Sequence, residues 1–123
     1  MQYISKNYDD LLGATGLSDQ LLKNHFTLYQ GYVTNTNKVI NRLESILNED
    51  GTGSPEYAEL KRRFGWEWNG MRLHENYFDN LTAGGNSLDP NSAIAKAIVT
   101  DFGSLENWEK DFKATGMMRG IGW

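Results

Sequence analysis

Two stretches of apolar residues spaced by threes and fours, parted by a glycine-rich break, constrain this chain more than any other feature. In the first, Leu22 is followed by His25 and Phe26, Tyr29, Tyr32 and Val33, Thr36, Val39 and Ile40, Leu43, then Ile46 and Leu47. That spacing lines one side of a 3.6-residue helix. Ser18 offers an N-cap and Asp19 a favourable first-turn charge, while Gly51-Thr52-Gly53 stops the run. The spacing predicts a helix from about Asp19 to about Asn48, roughly 45 Å long. The second stretch starts at Ser54-Pro55-Glu56, a cap followed by proline at the first helical position. It carries Tyr57, Leu60, Phe64, Trp68, Met71, His74, Phe78 and Leu81 and is expected to end at Ala83-Gly84-Gly85-Asn86. The short connection makes the two helices antiparallel neighbours. Gly65 and Gly70 interrupt the second helix at a cost of about 1 kcal/mol each relative to alanine, so they mark a close backbone approach or a kink.

The flanks are less regular. Residues 1–16, with Tyr3, Tyr8 and Leu11-Leu12-Gly13, read as an irregular arm that packs on something else. Asp89-Pro90 is expected to open a short third helix with Ile94, Ala97 and Ile98 on one face, ended by Gly103. Ser104 caps a fourth carrying Leu105, Trp108 and Phe112, ended by Gly116. Met117 to Trp123 reads as the approach to a strand. The expected fold is therefore all-α: a long antiparallel hairpin, then two short helices. The expected organisation is an arm and hairpin over 1–85 and a helical segment over 86–123.

Composition narrows the function classes. With a net charge of −4 and no basic run longer than Lys61-Arg62-Arg63, the chain lacks a nucleic-acid footprint. No apolar run approaches the ~18 residues of a membrane span. The absence of cysteine excludes disulfides and thiolate metal sites. With no secretory pattern at the N-terminus, the expected location is the cytoplasm.

The chain's two histidines, His25 and His74, stand out next. His25 lies near the start of the first helix and His74 near the end of the second, so an antiparallel pairing brings them to the same end. Neutral imidazole is a good ligand for first-row metals. The plainer alternative is a pair of core histidines bonded to a tyrosine or a carbonyl. A metal site needs more donors, and Glu75, Asp79 and Asp101 are the candidates. Glu75 points about 100° away from His74 on the helix and Asp79 also lies off the stripe, so both read as solvated surface carboxylates.

Four motifs in order extend the argument: Leu21-Leu22-Lys23-Asn24-His25 through Tyr32-Val33-Thr34-Asn35-Thr36-Asn37; Leu73-His74-Glu75-Asn76-Tyr77-Phe78; Asp101-Phe102-Gly103-Ser104 with Trp108-Glu109-Lys110-Asp111-Phe112; and Gly120-Ile121-Gly122-Trp123. Together they resemble the iron/manganese superoxide dismutase family over essentially the whole chain. The resemblance implies the helical part of an α+β fold and a mononuclear iron or manganese site. It makes His25 and His74 metal ligands and Tyr32 the proton-relaying tyrosine at the substrate gate. It places Trp123, Trp68, Phe78 and Tyr29 along the pocket.

The chain departs from the family pattern in ways that bear on the site. His25 to Tyr32 is one residue shorter than the family spacing, and Tyr29 and Gln30 stand where members often carry a histidine. Leu73 replaces an asparagine and Phe78 a tryptophan. Gly70 occupies a position where many iron-type members carry glutamine. The family continues into a sheet and an Asp-x-x-x-His segment that supplies two further ligands. The resemblance thus implies superoxide as substrate and a homo-oligomer or a complementing C-terminal segment as partner. The chain alone is expected to be poorly active, with a non-catalytic helical subunit or a split dismutase as the alternative.

Overall fold

The structure is a computed structural model that describes residues 2–120. Among these the fold is all-helical: a 3-10 turn at Asp9–Leu11, then α1 (Asp19–Asn48), α2 (Pro55–Asp79), α3 (Ala93–Phe102) and α4 (Leu105–Gly116). No helix among the described residues is long and apolar enough to cross a membrane. The chain divides into two compact units, one running to Gly85 and one starting at Asn86.

Helix α1 begins where its cap dictates. The Ser18 hydroxyl accepts from the Leu21 N–H at 3.2 Å, satisfying one of the orphan donors of the first turn. Its buried side chains are Leu22, Phe26, Tyr29, Val33, Thr36, Val39 and Ile46. Leu47, expected on the same face, is exposed because a straight helix carries it past the contact. At the C-terminus Asp50 takes a positive φ of 55° and Gly51 N–H returns to the Ile46 carbonyl at 2.9 Å. A Cβ at Gly51 would stand 2.8 Å from Ile46 Cγ2, so the turn needs glycine there.

Helix α2 starts with Ser54 as cap and Pro55 in the first turn. It stops at Asp79, four residues before the expected Ala83-Gly84-Gly85-Asn86. The side-chain amide of Asn80 donates to the Asn76 carbonyl at 2.8 Å, and Leu81 N–H turns back to Phe78 O at 3.0 Å. The last carbonyls are thereby satisfied and the chain leaves the axis early. Leu81, outside the helix, still packs partly buried against the core. The helices run antiparallel. Arg42 on α1 holds Glu56 on α2 through two hydrogen bonds of 2.7 and 3.0 Å at one end, and His25 meets His74 at the other.

The N-terminal arm completes this unit. Tyr8, Leu11 and Ala14 are buried in one core with Leu22, Phe26, Tyr29, Val33, Met71 and Phe78. Polar ties fix the arm to both helices. Asn37 on α1 accepts from Tyr3 N–H and donates to Tyr3 O, each at 2.8 Å. Lys6 and Tyr8 both reach Asp79 at the end of α2, at 2.9 and 3.1 Å.

In the second unit α3 starts at Ala93 with Ser92 as its cap. Asp89-Pro90 does not open the helix. Asp89 instead forms a turn, its side chain accepting from Asn91 N–H at 2.9 Å and its carbonyl from Ser92 N–H at 3.0 Å. Of the expected face only Ile98 is partly buried; Ala95, one turn before it, is fully buried, whereas Ile94 is 59% exposed and Ala97 is exposed. Gly103 ends α3 at a φ of 80°, a left-handed cap. Helix α4, capped by Ser104, packs on α3 but buries none of its own residues fully. Of the strand approach expected over 117–123, residues 117–120 form a turn and bends with no strand, and residues 121–123 lie outside the described residues.

Adjacent leucines test the phase of α1. Leu22→Ala, at a position with no exposure, should cost 2–5 kcal/mol in denaturant unfolding, roughly the range for buried leucines. Leu21→Ala, half exposed, should stay within about 0.5 kcal/mol of wild type.

Candidate metal centre

The hairpin brings the two histidine rings to a centroid separation of 4.8 Å, edge to face at 80°. His74 is buried, and its Nδ1 lies 2.5 Å from the Gly70 carbonyl one turn earlier. A carbonyl can only accept, so Nδ1 carries the proton and donates, which leaves the lone pair on Nε2. His25 is half-buried. Burial, and then the charge of His74, hold it below the ordinary histidine value, which keeps it neutral in neutral solution. A shallow open depression lies on its outer side, lined by Leu21, Asn24, Leu28 and Tyr77.

Aromatic rings surround the pair. Tyr32 packs 5.2 Å from the His74 ring. Its own ring rests on the backbone of Gly70, where a Cβ would stand 2.4 Å from Tyr32 Cδ1. Gly70 is therefore a close-approach position, whereas a Cβ at Gly65 would meet nothing. Burial, and then the carboxylate of Glu67, raise the Tyr32 phenol above its usual value, partly offset by Arg63. Phe78, 4.9 Å from His25, also packs against Tyr8 and Phe26. Tyr29 is fully buried, 6.5 Å from His74 and nearly parallel to it. Its phenol is pushed up to about 12, chiefly by burial.

Trp68 makes its polar contact with the arm: it is partly buried against the core, and its indole N–H donates to Tyr3 OH at 3.4 Å. Trp123 lies outside the described residues.

The carboxylates correct the sequence reading in one important respect. Glu75 is not a solvated surface group: it is 5% exposed. One of its oxygens accepts from Tyr29 OH at 3.0 Å, and the other from Arg72 at 2.5 Å. The 100° step from His74 carries it off the expected stripe but not into water, because the inward face of α2 is wide here. Asp79 is half exposed and bound to the arm. Asp101 is exposed in the second unit. Glu67, a residue the sequence argument passed over, is 2% exposed and paired with Arg63 four residues before it. That i,i+4 spacing was its only sequence signal.

Two imidazole rings from facing helices, one of them oriented by a backbone carbonyl, suit a first-row metal ion. Among the described residues, however, no group of three or more His, Asp or Glu side chains is placed to hold one. The site geometry supplies two donors and a shell of aromatic and hydrogen-bonding groups around them.

No protein-family profile matches the chain. It is similar to the iron superoxide dismutase of Cupriavidus metallidurans, 40% identical over 111 residues that cover 88% of this chain and 53% of that protein. The iron superoxide dismutase of Aquifex pyrophilus is 34% identical over 107 residues, 83% of this chain and 50% of that protein. The mitochondrial manganese superoxide dismutase of Glossina morsitans morsitans is 28% identical over 106 residues, 85% and 47% respectively. The chain thus spans about half the length of the curated relatives it matches.

Two outcomes follow from this geometry. Gly70→Ala must displace the Tyr32 ring, an overpacking that should cost about 1–3 kcal/mol in denaturant unfolding. A Gly65→Ala change in the same helix should not destabilise. Asp79 is held below the usual carboxylate range mainly by the Lys6 ammonium, with Tyr8 adding to it against desolvation. A lowered carboxylate contributes stability that is present above its unfolded value of about 3.9 and is lost as pH falls through the folded one. The side-chain resonances of Lys6 and Tyr8, whose ammonium and hydroxyl bind Asp79, should therefore hold their positions in mild acid and move only below about pH 4. Asp79→Asn should abolish that transition.

Proposed function

Because the chain belongs to the iron/manganese superoxide dismutase family, we propose that it contributes the two-histidine half of a mononuclear iron or manganese centre that disproportionates superoxide. The observation that carries the reading is the meeting of His25 and His74 across α1 and α2. His25 and His74 would hold the ion through ring nitrogens, His74 through Nε2. The ion would supply alternate one-electron chemistry, by which one superoxide is oxidised to oxygen and another, taking an electron and two protons, becomes hydrogen peroxide.

The chain's own residues have definable tasks in this scheme. The Gly70 carbonyl accepts from Nδ1 of His74, which would leave Nε2 as the ligating nitrogen of the neutral ring. Tyr32 stands against the His74 ring, with its phenol raised by burial and Glu67. It keeps its Oη proton at neutral pH and would be the group that passes one toward reduced substrate. Phe78 and Phe26 pack the inner side of the histidine end, while the outer side of His25 opens to the depression lined by Tyr77.

Relatives named for iron and for manganese are both similar to the chain, so the reading extends to either metal. The remaining donors, an aspartate and a histidine by family resemblance, would come from a complementing segment outside the described residues. The second reading is a non-catalytic helical subunit, and it draws on the lack of a third donor among the described residues.

The 123-residue chain by itself should show little dismutase activity and should lose iron or manganese on desalting. In an assembly completed by the missing donors, His74→Ala should lower bound metal by more than the roughly 10–100-fold that loss of an outer partner costs. Metal analysis combined with a superoxide assay reads both. Full activity with stoichiometric metal in the chain alone would overturn the half-site reading. Unchanged metal content in His74→Ala would overturn the ligand assignment.

A further inference from the structure

We propose that Tyr29 and Glu75 are positioning residues for His74, their buried cross-helix hydrogen bond setting where the His74 imidazole stands against His25. The inference rests on the metal-site reading above and adds to it a pair that the family resemblance does not supply. The Gly70 contact of His74 is internal to α2. It selects a tautomer but does not tie α2 to α1. The Tyr29–Glu75 bond does, at 3.0 Å between two side chains that are 0% and 5% exposed. Glu75 directly follows His74, so anchoring its carboxylate to α1 fixes how that turn of α2 is rotated about its own axis. That rotation aims the His74 ring.

The direction of the bond is fixed as well. Tyr29 OH accepts from the Lys6 backbone N–H at 3.1 Å, which leaves its single proton to donate to Glu75. The other Glu75 oxygen is taken by Arg72. The arm thus orients the Tyr29 hydroxyl, and α1 and α2 converge on one carboxylate, satisfied on both oxygens, beside a His74 ring that lies nearly parallel to Tyr29. A buried carboxylate satisfied in this way resists displacement, because breaking one bond leaves a charged oxygen unpaired in a dry environment.

The test uses the full chain with zinc ion as a redox-silent probe, following histidine ring resonances by NMR. Tyr29→Phe and Glu75→Ala should each weaken zinc binding about tenfold or more. Glu75→Gln, whose amide oxygen still accepts from Tyr29, should stay within about threefold of wild type. If all three variants melt earlier but the folded proteins bind zinc as wild type does, the pair is merely structural and the proposal is overturned. If wild type and His74→Ala respond to zinc alike, the metal-site reading fails on its own. The metal-free rings then decide the positioning claim. His74 resonances that move in Tyr29→Phe and are restored in Glu75→Gln support it, and resonances unchanged in Tyr29→Phe overturn it.

Discussion

The close approach of α1 and α2 at Gly70 governs the histidine end of the hairpin. Without a Cβ there, the Tyr32 ring settles on the α2 backbone, and the same residue's carbonyl takes the Nδ1 proton of His74. One glycine thus sets the spacing between the helices and the tautomer of a candidate ligand. Its cost in helix propensity, about 1 kcal/mol, is offset by the aromatic packing it admits. Further along the seam Tyr8, Phe26 and Tyr29 pack on Phe78 in tilted and edge-on contacts, the arrangements that aromatic quadrupoles favour.

The polar groups in this seam follow one rule: a buried carboxylate reaches a half-exposed arginine on its own helix. Glu67 pairs with Arg63 and Glu75 with Arg72. The arginine heads stay in contact with water while the carboxylates do not, which lowers the desolvation penalty of each pair. Such pairs add little net stability, but they forbid the alternative rotations of α2 that would strand a charge. Their contribution is to specificity of packing, and it falls where the candidate site needs it.

Much of this was legible in the sequence. Ser18, Ser54 and Ser104 mark three helix starts because a short hydroxyl side chain before a periodic run has few other uses. The three-four stripes gave the pairing of α1 with α2, and the antiparallel pairing gave the meeting of His25 and His74. What the stripe missed was width. A helix covered by both a partner helix and an arm buries more than one row, so Glu75 and Glu67 turn inward although neither is apolar. Asp89-Pro90 misled because aspartate before proline serves a turn as well as a cap, and the true cap, Ser92, stood three residues on. Trp68 was drawn to the arm because Tyr3 offers its indole a partner, and a chain segment without periodicity announces no such contact.

The central claim is that His25 and His74 bind one metal ion together. X-ray absorption of the full chain holding zinc below one equivalent tests it most directly. The account predicts two imidazole nitrogens on one zinc at about 2.0–2.1 Å, with the imidazole scattering reduced in both His25→Ala and His74→Ala. An oxygen-only shell, or imidazole scattering that survives unchanged in both variants, would contradict it.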